Sequence, residues 1–199
     1  MKRLTILLFI LCHCAIAQKP ATVLVEAESF ENKGGWSIDQ QFMDVMGSSF
    51  LMAHGMGRPV EDASTTVTFP ETGTYKVYVR TRNWTAQWSD KDAAGQFQLL
   101  INDKPLAKTF GKDNEKWNWS EGGAVKITQK KTKITLKDLT GFNGRCDAIL
   151  FTSVPNYKPI EDKEKLTDFR NAYFGFDKNP KNAGTFDFMV VGGGMAGTC

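Results

Sequence analysis

Tyr75-Lys76-Val77-Tyr78-Val79-Arg80 decides the fold. Its side chains alternate, with Tyr75, Val77 and Val79 turned one way and Lys76, Tyr78 and Arg80 the other, which is the period of a strand with one face on a core. Outward from it the pattern repeats. Val67 and Phe69 share a face within Thr65–Phe69, and Phe97, Leu99 and Ile101 alternate up to an Asn102-Asp103-Lys104-Pro105 turn. Val125 and Ile127, then Ile134 and Leu136, flank a lysine-rich turn, and Asp147 to Phe151 is a last apolar strand. No helical stripe of useful length interrupts residues 23 to 152. Short strands at near-regular spacing predict an all-β domain, an antiparallel β-sandwich over residues 22–153.

The 199 residues have room for one domain of ordinary size plus extras. A net charge of +3, with acids and bases well mixed, lacks the clustered basic face that nucleic-acid binding needs. All five tryptophans fall between Trp36 and Trp119, so the aromatic residues belong to a single module.

Residues 1–17 read as a signal peptide: Lys2 and Arg3, an apolar run from Leu4 to Leu11, then Ala15-Ile16-Ala17 before Gln18. The run is too short for a transmembrane helix. The expectation is export, to the periplasm or beyond, with cleavage near Ala17-Gln18. Cys12, Cys14 and His13 leave with the leader, and Cys146 and Cys199 fall in different units, so no disulfide framework is indicated. His54 is then the only histidine, in a flexible loop that suits either a structural or a ligand-facing role.

After Pro155 the texture changes. Residues 154–184 read as a linker in which Leu166, Phe169 and Tyr173 have helical spacing. Phe186-Asp187-Phe188-Met189-Val190-Val191 has the continuous apolar character of a buried parallel strand, and it runs into Gly192, Gly194 and Gly197. A strand followed by G-x-G-x-x-G suits a pyrophosphate at a helix N-terminus. The segment DFMVVGGGMAGTC resembles the opening of FAD-binding two-dinucleotide-fold flavoproteins. The resemblance implies that residues 185–199 begin a Rossmann-type domain, truncated here, with the three glycines as FAD contacts. It covers only the last residues, so the expectation is an FAD-dependent oxidoreductase parent and a chain that does not itself bind FAD.

Glu26 and Glu28, in Val25-Glu26-Ala27-Glu28-Ser29-Phe30, read as two acids on one side of a strand: solvated acids on an edge, or holders of a cation between them. The E-A-E-S-F start, the Y-K-V-Y-V-R strand and the closing D-A-I strand resemble galactose-binding-like jelly rolls, in particular carbohydrate-binding modules of families six and thirty-five. That resemblance implies a structural calcium at Glu26, Glu28 and Asp147, and a sugar contact at Asn143.

Sugar recognition uses flat rings against pyranose C–H faces, with a few polar groups for the hydroxyls. Trp84 and Trp88, in the loop-like Asn83 to Asp90, are the candidate platforms. Trp117-Asn118-Trp119 reads as a second such cluster, although Trp36, Trp117 and Trp119 suit a core equally well. No Ser-His-Asp arrangement or isolated carboxylate pair marks a hydrolase site. The functional expectation is an exported flavoenzyme whose sandwich binds or positions a glycan. The alternatives are a carbohydrate-binding module of a polysaccharide lyase or hydrolase, and a structural cap without ligand.

Overall fold

The structure is a computed structural model describing residues 19–88, 93–177 and 179–190. In chain order it contains β1 (Thr22–Glu26), a 3-10 turn (Ala27–Ser29), β2 (Trp36–Asp39), α1 (Met43–Met46), β3 (Phe50–His54) and β4 (Ala63–Thr68). Then come β5 (Gly73–Thr81), β6 (Phe97–Ile101), β7 (Lys104–Phe110), β8 (Asn118–Ile127), β9 (Lys131–Asp138), β10 (Phe142–Thr152) and α2 (Lys163–Phe174).

The strands form two antiparallel sheets, packed as a jelly-roll β-sandwich. One has the order β2-β3-β10-β5-β8, with β1 also on β10; the other is β4-β9-β6-β7. Strand β10 organises the larger sheet. Its first half pairs with β3 through Arg145↔Met52, its second half with β1 through Ile149↔Val25, and its other edge runs along β5. The β6–β7 hairpin turns on Asn102 and Asp103, both at positive φ (48° and 65°), where short polar side chains are tolerated.

Tyr75, Val77 and Val79 lie in the core between the sheets, with Leu51, Phe97, Leu99, Ile134, Ile149 and Phe151. The opposite face of β5 differs from the polar face expected, because Tyr78 and Arg80 are buried too. The chain after β10 explains this. Tyr157, Ile160, Leu166 and Phe169 pack over Leu24, Tyr78, Trp119 and Leu150, so the segment read as a linker is a strap across the outer face. Helix α2 within it is capped by Asp162, which accepts from the Lys165 amide, and ends at Gly175 with φ 74°.

Residues 186–190 form no strand and are exposed, and no described segment pairs with them. A parallel strand is held by neighbours, and the described residues supply none. The leader 1–17 and the glycines Gly192, Gly194 and Gly197 lie outside the described residues.

Candidate functional site

Trp84 and Trp88 stand in a turn built by Asn83. The buried Asn83 side chain accepts from the Thr85 amide (3.1 Å) and hydroxyl (2.9 Å) and donates to the Lys112 carbonyl (3.2 Å). The two indoles meet edge to face at 5.9 Å, and Trp84 stacks on Phe142 with centroids 5.4 Å apart. Trp84 Nε1 also donates to the Phe142 carbonyl at 3.0 Å, so the first indole is fixed by both its face and its polar edge. Trp88 is 69% exposed. One tryptophan is the support and the other is the free surface.

The Phe142 side of this edge is held by backbone. Asp138, almost wholly buried, accepts from the amides of Thr140 (3.2 Å), Gly141 (3.0 Å) and Val60 (2.9 Å). The Gly141 carbonyl accepts in turn from Gly55 and Gly57. Gly141 has φ 66°, and a Cβ there would lie 1.9 Å from the Arg58 carbonyl oxygen, so only glycine lets the two loops meet. Asn143, at φ 59°, lies two positions on. His54 Nδ1 donates to Asn143 Oδ1, which leaves the amide group of Asn143 as a donor and His54 Nε2 as an acceptor.

The structure therefore brings Trp84, Trp88 and Asn143 to one edge. It adds three residues not singled out as sugar contacts: Phe142, His54 and Arg145. The Arg145 guanidinium lies 5.6 Å from the Trp84 ring, and burial together with the neighbouring Arg82 lowers it to about 10. Phe142 and His54 had a signal in the sequence, since both adjoin glycines; His54 is not in a loop as expected but closes β3, and Phe142 opens β10. Arg145 had none, because it sits in an apolar strand.

The Trp117–Trp119 cluster is elsewhere. Asn118 opens β8 rather than a loop, and both tryptophans are buried. Trp117 packs on Phe42 and Phe50, and Trp119 Nε1 donates to the Ile160 carbonyl at 2.9 Å. Two tryptophans two positions apart are a strand's period as much as a loop's composition. Trp36 is buried in the core against Phe97.

Of the three carboxylates expected to hold calcium, Glu26 and Asp147 meet around an arginine, and Glu28 lines the cleft beside it. Glu28 lies in the 3-10 turn rather than on the strand, because β1 ends at Glu26. Arg170, from α2, reaches in over Glu26 and Asp147. Its Nη2 donates to Glu26 Oε2 (3.1 Å) and Asp147 Oδ2 (2.8 Å), and its Nε lies 2.8 Å from Glu26 Oε1. Its Nη1 donates to the Met46 carbonyl (3.1 Å) and Ser48 Oγ (2.8 Å). Arg80 Nη1 donates to Asp147 Oδ2 at 2.9 Å, and Ser48 Oγ donates to Asp147 Oδ1 at 2.8 Å.

Burial raises the Glu26 carboxyl to about 8 against the pull of Arg170, with Asp147 and Glu28 adding to the rise. Glu28 is raised to about 7, chiefly by burial, and Asp147 adds to it. One Glu28 oxygen is buried without a hydrogen-bond partner among the described residues. Arg170 is pulled down by burial but held above its usual range by Asp147 and Glu26. Calcium needs roughly six to eight oxygens at about 2.3–2.6 Å. Here a guanidinium already takes the Glu26, Asp147, Met46 and Ser48 oxygens, so the donor set as arranged does not fit the ion.

Cys146, beside Asp147, is a free, fully buried thiol, and burial with the three nearby carboxylates pushes it well above its usual range. No helix of the described residues is long and apolar enough to cross a membrane.

No protein-family model matches the chain, and no curated protein matches it. Solved structures do. A GH26-CBM35 β-(1,4)-mannanase from Podospora anserina is similar at 15% identity and a TM-score of 0.51, over 68% of this chain and 28% of that one. A family 35 carbohydrate binding module from Clostridium thermocellum is similar at 14% identity and a TM-score of 0.50, over 66% of this chain and 97% of the module. At such identities the likeness is one of fold, and that fold is the sandwich of carbohydrate-binding modules.

Proposed function

We propose that the sandwich is a glycan-binding module and that its sugar surface is the edge formed by Trp84, Trp88, Phe142, Asn143 and His54. The observation that carries this is the exposed Trp88 ring beside a fixed Trp84–Phe142 stack. An exposed indole supplies the apolar face for a pyranose, and the Asn143 amide with His54 supplies a donor and an acceptor for its hydroxyls. The fold shared with carbohydrate-binding modules supports the reading.

The test is a glycan array probed with the chain and with Trp88→Ala. Binding to a defined class of glycan that the substitution abolishes is the expected result. Absence of binding by the wild-type chain would leave the sandwich a structural cap.

For the protein as a whole we propose export under the leader 1–17 and a flavin domain beginning at residue 185, making an FAD-dependent oxidoreductase whose glycan substrate the sandwich positions. The support for export and for the flavin domain is sequence motifs alone. An open reading frame past Cys199 with an acidic residue roughly twenty positions after the glycines is expected; an unrelated continuation would overturn it. The second reading is a module attached to a hydrolase or lyase, and the similarity to part of a mannanase favours it.

A further inference from the structure

We infer that the guanidinium of Arg170 is the permanent internal cation of the Glu26–Asp147 cradle, standing where the resemblance to family six and thirty-five modules places calcium, and that it locks helix α2 to the sandwich. The geometry is that of a cation among oxygens. Five oxygens surround the guanidinium: both from Glu26, one from Asp147, the Met46 carbonyl and the Ser48 hydroxyl. They come from the end of β1, the end of α1 with the turn after it, and β10, three places that a metal ion would otherwise tie together.

Arg170 does the same from a fourth element. It is one of the two buried residues of α2, with Leu166 four positions earlier on the same face. Leu166 packs on the apolar half of the outer face and Arg170 plugs the polar half. The planar fork suits this task, because its donors meet several oxygens at once. Calcium and the guanidinium compete for the same oxygens, and two cations in one buried cradle repel. Helix docking and metal binding therefore exclude each other.

Asp147 is further committed by Arg80, which donates to the same Oδ2 that Arg170 reaches, while Ser48 takes Oδ1. Two guanidiniums thus meet at Asp147 and one of them also holds Glu26, while Glu26, Glu28, Arg170 and Thr167 line a cleft of about 420 Å³ beside them. The strap is consequently part of the folded unit, and α2 is held at a fixed orientation to the sugar edge rather than on a tether.

Thermal melting in EDTA and in millimolar calcium chloride tests this, with calorimetric titration of the wild-type chain by calcium. The wild type is expected to melt at the same temperature in both and to take up no calcium. Arg170→Ala is expected to melt roughly 5–15 °C lower in EDTA and to recover part of the loss in calcium. Arg170→Lys, which keeps charge but not the fork, falls between. A wild-type chain stabilised by calcium would overturn the inference, whether or not the alanine variant folds. So would an Arg170→Ala chain that melts like the wild type, or one that calcium does not shift.

Discussion

At the loop edge, Trp84, Trp88, Phe142 and Asn143 stand half in water; beneath α2, Asp147, Arg80 and Arg170 are buried and Glu26 keeps only a small exposed part. Both clusters draw on widely separated parts of the chain, and both hold residue types that sequence patterns assign to ligands. They differ in what is left unsatisfied. In the buried cluster the Glu26 and Asp147 carboxylates have guanidinium partners, so their oxygens are taken up within the cluster. At the edge the stack fixes Trp84 and leaves the face of Trp88 and the amide group of Asn143 available. Chemistry-bearing residues become a ligand site where the fold positions them without using them up.

The buried cluster is the place to break stability. Asp147→Ala would leave Arg80 and Arg170 without their shared acceptor, and urea denaturation should show a loss of about 3–5 kcal/mol. A loss near zero would mean that the cluster is not holding the sandwich together.

Gly141→Ala strikes the edge through its backbone. The added Cβ meets the Arg58 carbonyl at a φ of 66°, so the 55–58 and 141–143 loops must part. Stability should fall by about 1–3 kcal/mol, and glycan affinity should fall with it. Trp88→Ala separates the two properties: affinity on the array-identified glycan should drop about tenfold or more, while stability stays within about 0.5 kcal/mol. If Trp88→Ala binds as well as wild type, the edge is not the sugar surface.

The buried cluster should also give a slope with pH. Glu28 is raised from 4.5 to about 7, chiefly by burial, so the folded state holds a proton that the unfolded chain releases. Stability from this source is full below pH 4.5 and is lost as pH rises towards 7. Glu28→Gln should flatten the part of the slope between pH 4.5 and 7, measured as melting temperature against pH. An unchanged slope would mean that Glu28 is not the group holding the proton.

Much of this architecture is legible in the sequence. The alternation in Tyr75–Arg80, Phe97–Ile101 and Asp147–Phe151 marks strands because each has a face on the inter-sheet core. Trp84 and Trp88 read as loop residues beside Asn83, a turn-former, and Asn143 reads as a turn residue between two glycines. Arg170 does not read as a partner of Glu26, because 144 residues separate them and spacing carries no information at that range. A local signal existed: an arginine four residues after Leu166 on the apolar stripe of a helix has to find an acid. The burial of Tyr78 and Arg80 was hidden for the same reason, since their cover comes from the strap and not from their own strand.

The most direct measurement is an indole NMR spectrum of the chain during titration with soluble mannan, xylan and glucan oligosaccharides. With a sugar surface at the loop edge, the Trp88 and Trp84 signals shift while those of Trp36, Trp117 and Trp119 stay in place. Shifts confined to Trp117 or Trp119, or none with any of the three, would contradict it.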